Sequence, residues 1–111
     1  MDKLTILWTN ADFGTFEKMV SMYAYNSRAK GWWDEVTLVI WGSPTKLTAD
    51  SEPVRAKLRE LMAGGVKVSA CKRCAEEYGV VEDLERLGVE VIYWGVPLTE
   101  ILKNREPLLT I

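Results

Sequence analysis

The chain has 111 residues, of which 48% are hydrophobic and 27% charged, and its net charge is −2. This length fits a single domain over residues 1–111. The composition argues against a disordered chain, and the acidic balance against a nucleic-acid binder. Because the chain has no histidine, Ser-His and Cys-His catalysis and most zinc sites are excluded.

The chain begins with a predicted strand and a long predicted helix. Residues 4–8 are a short apolar run, typical of a buried parallel strand. Residues 9–12 supply turn and capping side chains, and the pattern then predicts a helix over 13–30 that ends at Gly31. Apolar residues cover more than one face of this helix, so we expect it to pack on its own sheet and on a partner subunit. They are Phe16, Met19, Val20, Met22, Tyr23, Ala24 and Tyr25.

A second strand and a second long helix follow. Residues 36–41 are strand-like, and residues 42–44 interrupt them. Asp50 or Ser51 is a suitable cap for the helix, and Pro53 suits its first turn. The apolar spacing of one buried face is carried by Val54, Leu58, Leu61 and Met62, and Gly64-Gly65 ends the helix.

The last third of the chain continues to alternate. It predicts strands at 66–70, 89–94 and 108–111, with short helices at 71–78, 81–87 and 97–103. Alternation with short connections predicts an α/β fold: a three-layer α/β/α sandwich around a mostly parallel sheet of four or five strands.

Ligands of open parallel sheets bind beyond the carboxyl ends of the strands. We therefore take the residues that follow the predicted strands as candidate site residues. They are Asn10 and Asp12, Gly42 and Ser43, Cys71, and Gly95 with Pro97. An Asx turn or a helix cap explains Asn10 and Asp12 equally simply, and we favour the cap.

Cys71 is the strongest nucleophile in this set. A thiol in the first turn of a helix lies near unpaired N–H groups, and Lys72 and Arg73 add positive charge beside it. Both effects favour the thiolate, which is the reactive form. Cys74 follows one helical turn later and is close enough for a transient disulfide or a persulfide relay with Cys71.

Other interpretations of the cysteines remain open. Free cysteine is often simply buried, and we give this equal weight for Cys74. A zinc site needs two more ligands, which only a second subunit supplies, so we expect no metal and no other cofactor. A thioredoxin fold places its CxxC after an early strand, whereas this pair follows the third.

The chain lacks a run of roughly 18 apolar residues and a signal peptide, so we expect a cytoplasmic protein without a membrane partner and with reduced thiols.

The order of these motifs resembles the DsrE-like family, which includes the DsrE/DsrF sulfur-relay and YchN-like proteins. The resemblance covers nearly the whole chain. It rests on LTILWTNADFGTFEKMVSMYAYNSRAKGWWDEVTLVIWG, LRELMAGGVKV, ACKRCAEEYGV and LGVEVIYWGVPLTEIL, and is closest to small stand-alone members.

The resemblance implies an α/β/α fold, homo-oligomers that are often trimers or hexamers, and a role in sulfur metabolism. In the best-understood members a cysteine after the third strand passes persulfide sulfur to a partner, and Cys71 matches that position. Cys74 has no general counterpart, and many members lack the carrier cysteine.

Three hypotheses follow. The first is a sulfur carrier that accepts sulfane sulfur on Cys71 from a donor protein and passes it to an acceptor, a role that does not require catalysis in the strict sense. The second is an oligomeric ligand-binding or interaction module with incidental cysteines, in which Asn10, Asp12, Trp32 and Trp33 matter more. The third is a small dithiol redox protein that uses Cys71 and Cys74.

Overall fold

The computed structural model describes residues 1–111 and contains five strands and six helices. The strands are β1 (Lys3–Trp8), β2 (Glu35–Ile40), β3 (Lys67–Cys71), β4 (Glu90–Ile92) and β5 (Leu108–Thr110). The first helix, α1, covers residues 13–29 and consists of Phe13–Thr15, a π-helical turn over Phe16–Val20, and Ser21–Ala29. The others are α2 (Ser43–Asp50), α3 (Glu52–Ala63), α4 (Lys72–Tyr78), α5 (Val81–Leu87) and α6 (Gly95–Lys103).

All strand pairs are parallel, in the order β4-β3-β2-β1-β5. The first four strands are laid down in one direction across the sheet. Because crossovers between parallel strands are right-handed, their helices all pack on the same face. The chain then returns past β1 to form β5, which places α6 alone on the opposite face. The predicted three-layer α/β/α sandwich is confirmed.

The main core lies between the sheet and the larger helical layer. Alternate strand residues point into it, because successive side chains of a strand face opposite sides. These include Ile6, Trp8, Leu38, Ile40 and Ala70, which pack with residues of four helices: Phe16 and Val20, Leu58 and Leu61, Ala75, and Leu84.

A smaller cluster lies on the other face. Val39, Cys71 and Trp94 form its buried centre, and Ile101 of α6 packs against them. No residue of α6 is itself buried, so this nine-residue helix covers the second face only in part.

The sequence missed one helix, α2. Residues 42–44 were expected only to end the preceding strand, yet Ser43 begins a helix with Pro44 in its first turn. Proline is favoured at that position because its missing N–H has no intrahelical partner there. Ser51 then caps α3 by accepting a hydrogen bond from the Val54 N–H, as one of the two predicted caps.

One side of α1 stays exposed although it is apolar. Met19, Met22 and Tyr25 are 39%, 52% and 46% exposed, so helices of the same chain do not cover them. None of the helices is long and apolar enough to cross a membrane.

Candidate functional site

Cys71 lies at the junction between β3 and α4. It is the last residue of the strand and the N-cap of the helix, with φ −69° and ψ 116°. Its side chain accepts no capping hydrogen bond from the helix. The sequence therefore predicted the position of this thiol at a strand's carboxyl end, but not how its sulfur is surrounded.

The surroundings of Cys71 are mostly apolar. The residue is only 4% exposed and packs with Val39 and Trp94 on the α6 face of the sheet. Trp94 is held in place by its indole N–H, which donates to Ser69 Oγ at 2.7 Å. Ser69 in turn donates to the Glu90 carbonyl at 3.0 Å. This chain of hydrogen bonds fixes the indole beside the thiol.

Cys74 is half-buried and contacts the same cluster. Its Sγ accepts a hydrogen bond from the Gly42 N–H at 3.4 Å, and its side chain packs against the cluster that contains Cys71. Burial raises the pKa of the Cys74 thiol above its ordinary value, the Gly42 N–H opposes this, and the Cys71 thiol raises the pKa further. The structure thus brings Cys71, Cys74 and Gly42 together.

The two predicted cations point to other partners. Lys72 Nζ lies 5.4 Å from the centre of the Tyr93 ring, and Arg73 pairs with Glu77 at 3.1 Å. Each cation therefore has a partner other than the Cys71 thiol. Glu77 adds a negative field that also raises the pKa of Cys74.

Tyr93, which contacts Lys72, is exposed and also binds α4 through Glu76. Its hydroxyl donates to the Glu76 carboxylate, with distances of 3.0 and 2.9 Å to the two oxygens. This bond to a carboxylate raises the pKa of Tyr93, because the phenol must stay protonated to donate. Tyr93 is thus held as a neutral donor rather than a free nucleophile.

The remaining predicted residues have local roles. Asn10 Oδ1 accepts from the Asp12 N–H at 2.8 Å, which forms an Asx turn. Asp12 Oδ2 caps α1 by accepting from the Thr15 N–H at 2.9 Å and from the Thr15 hydroxyl at 3.0 Å. These bonds lower the pKa of Asp12. Ser43 is exposed at the start of α2.

Asn10 and Asp12 share the carboxyl edge of the sheet with the thiols but follow β1, two strand spacings or about 10 Å from β3. Trp32 and Trp33 lie between α1 and β2, before β2 begins, and so at the opposite edge. Trp33 donates to the Tyr23 hydroxyl at 3.3 Å, and the Tyr23 and Trp32 rings are 5.9 Å apart.

Sequence reasoning missed the contribution of Ser69, Trp94 and Val39 to the thiol's surroundings. The alternation of β3 was a usable signal, since Ser69 and Cys71 share a face while Ala70 points to the main core. No three Cys, Asp or Glu side chains converge to hold a metal ion.

Comparisons with known proteins support one assignment. A model of the DsrE/DsrF-like family matches residues 2–103. Among curated proteins, no sequence matches this chain. A solved structure of a conserved protein of unknown function from Bacteroides thetaiotaomicron is 43% identical, with a TM-score of 0.97 over 99% of this chain and 95% of that one.

Two more distant structures share the fold over their full lengths. The ychN protein from E. coli is 21% identical with a TM-score of 0.74, and each chain is covered completely. A protein of unknown function from Methanobacterium thermoautotrophicum is 20% identical with a TM-score of 0.72, again with complete coverage. The family match spans nearly the whole chain, and the protein therefore belongs to the DsrE/DsrF-like family.

Proposed function

We propose that this protein is a sulfur carrier that accepts sulfane sulfur as a persulfide on Cys71 and passes it to a partner protein. The observation that carries the proposal is the position of Cys71 in a DsrE/DsrF-like chain. It ends β3 at the carboxyl edge of the sheet and begins a helix, where ligands of parallel sheets bind.

The surroundings of Cys71 suit a labile sulfur species. A persulfide in bulk solution is exposed to other thiols and to oxidants. At Cys71 the sulfur lies against Val39 and Trp94 and is nearly closed to solvent. A small sulfur donor needs only a narrow entry path to this sulfur, whereas a protein donor needs a displacement of the residues that cover it.

The test is mass spectrometry of the reduced protein after incubation with inorganic polysulfide. At the earliest times after mixing we expect a gain of one sulfur atom that peptide mapping locates on Cys71. The gain should be retained in Cys74→Ser and lost in Cys71→Ser. If Cys71→Ser gains sulfur as readily as the wild type, or if no form gains any, the proposal is wrong.

The packing of Cys74 beside Cys71 favours dithiol redox chemistry as a second candidate. Cys74 lies against the cluster that contains Cys71, and both thiols are free. A purely redox role predicts that a mild thiol oxidant closes an intramolecular disulfide, while polysulfide leaves no sulfur adduct on either Cys71 or Cys74 in the single serine variants.

A further inference from the structure

We propose that Cys74 discharges the persulfide of Cys71, closing an intramolecular disulfide and releasing hydrosulfide. This inference rests on the proposed function, because it takes the Cys71 persulfide as its starting point. It adds a second activity to the site: sulfur that meets no acceptor leaves as hydrosulfide.

The geometry of the two thiols carries the argument. Cys71 is the N-cap of α4, and Cys74 is the third residue of that helix. Residues three apart at a helix start lie on one face, with Cβ atoms about 5–6 Å apart. A disulfide needs Cβ atoms about 3.5–4.5 Å apart. Cys71 has extended backbone angles at the N-cap, outside the regular helix, and closing the disulfide requires the two Cβ atoms to approach by about 1–2 Å.

The position of the Cys74 sulfur is set from a second element. The Gly42 N–H, two residues after β2, donates to Cys74 Sγ, and Cys74 packs against the cluster that contains Cys71. The hydrogen bond stabilises negative charge on Cys74 and holds its sulfur beside that cluster. Gly42 and Cys74 belong to different elements, so this contact exists only in the folded chain.

Competing nucleophiles near Cys71 are engaged elsewhere. The Tyr93 hydroxyl is bound to Glu76, and the Lys72 amine lies over the Tyr93 ring. Because Cys71 itself is nearly closed to solvent, an external thiol reaches its sulfur less readily than Cys74 does. Cys74 is therefore the group best placed to attack.

The chemistry balances in two steps. The Cys71 thiolate attacks an inorganic polysulfide and forms a new S–S bond, and the polysulfide leaves one sulfur atom shorter. The Cys74 thiolate then attacks Cys71 Sγ, and the bond from Sγ to the outer sulfur breaks with its electron pair on the outer sulfur. That sulfur departs as hydrosulfide, Cys71 and Cys74 are joined, and a dithiol reductant restores both thiols with two electrons and two protons.

The test loads reduced full-length protein with inorganic polysulfide, removes the excess by desalting, and follows protein mass and free hydrosulfide together. In the wild type we expect the added sulfur to disappear as an equal amount of hydrosulfide forms. The protein should end two hydrogen masses below its reduced form. Cys74→Ser should keep the added sulfur at least about ten times longer, and Cys74→Ala is the second variant if the serine form does not fold.

The outcomes separate the two proposals. Sulfur that stays on the wild type and on Cys74→Ser equally long overturns the discharge step and leaves the carrier proposal standing. If the wild type and Cys74→Ser lose the added sulfur at equal rates and no disulfide forms, the discharge step is likewise overturned and the carrier proposal stands. Failure of every form to take up sulfur overturns the carrier proposal and the discharge step together.

Discussion

Replacing Gly42 by alanine tests how the backbone at the end of β2 supports the thiol pair. Gly42 has φ 78° and ψ −141°, close to a region that only glycine occupies readily. A Cβ built there meets no atom within 4 Å. The cost of Gly42→Ala therefore comes from the backbone conformation, and we expect about 1–3 kcal/mol.

Gly79→Ala is the matched control. Gly79 also has a positive φ of 70°, with ψ 33° in the ordinary left-handed region, and a Cβ there meets nothing within 4 Å. We expect a cost of about 1 kcal/mol for this variant. At roughly 4 °C per kcal/mol for a chain of this size, Gly42→Ala should lower the melting temperature by about 4–12 °C and Gly79→Ala by about 4 °C.

The two variants should differ more clearly at the site. The Gly42 N–H lowers the pKa of Cys74, so a relaxed backbone that withdraws this N–H raises that pKa and leaves less thiolate. At a fixed pH, Cys74 alkylation should slow in Gly42→Ala and stay unchanged in Gly79→Ala. Thermal denaturation and mass-mapped alkylation measure both effects. A Gly42→Ala protein with wild-type stability and wild-type Cys74 reactivity would refute the reasoning.

Three further predictions concern assembly, the thiol's surroundings and acid stability. We expect light scattering to give a mass that is a multiple of the 12.6 kDa chain mass, because the exposed apolar side of α1 is typical of an interface. Met22→Lys should lower this mass. A wild-type mass of one chain would refute the prediction. Ser69→Ala should lower the free energy of unfolding by about 1–3 kcal/mol, because it leaves the buried Trp94 N–H without a partner. Trp94→Phe removes that N–H. In the double variant with Ser69→Ala, the loss of unfolding free energy measured by chemical denaturation should therefore stay below twice the loss in Ser69→Ala alone. Hydrogen bonds from Thr15 to Asp12, and from Lys67 to Glu35, lower the pKa of both carboxyls below their ordinary values of 3.8 and 4.5. The two ionised carboxylates therefore stabilise the folded chain fully above these ordinary pKa values, and the stabilisation is lost as the pH falls through the lowered pKa values of the folded state. Asp12→Asn still caps the helix but has no carboxyl to protonate, so it should reduce the loss of stability in acid. An unchanged dependence of stability on pH in Asp12→Asn would contradict this prediction.

The alternation of short apolar runs with helical patterns was enough to predict the sheet and its layers. It works because buried parallel strands are continuously apolar and glycines mark where helices end. The same pattern placed Cys71 where a strand passes into a helix, and identified Asn10 and Asp12 as turn and cap. In the structure, Asp12 and Thr15 form that cap.

Helix α2 was not predicted, because a Gly-Ser-Pro run is typical both of a turn that ends a strand and of the start of a helix. Its eight residues also lack a clear apolar stripe. The charges of Lys72 and Arg73 were expected beside Cys71. Their actual partners, Tyr93 and Glu77, depend on side-chain directions that sequence proximity does not determine.

The sequence by itself determined the class of fold and the presence of a thiol at one strand end, since both depend on local periodicity and composition. Only the tertiary structure decided what surrounds that thiol. Strand order places β2 beside β3, which brings the Gly42 N–H to the Cys74 sulfur. The return of the chain to β5 leaves α6 alone over Cys71. These contacts join residues that are distant in sequence. Their geometry depends on which strands are neighbours in the sheet, and a local sequence pattern does not determine that order.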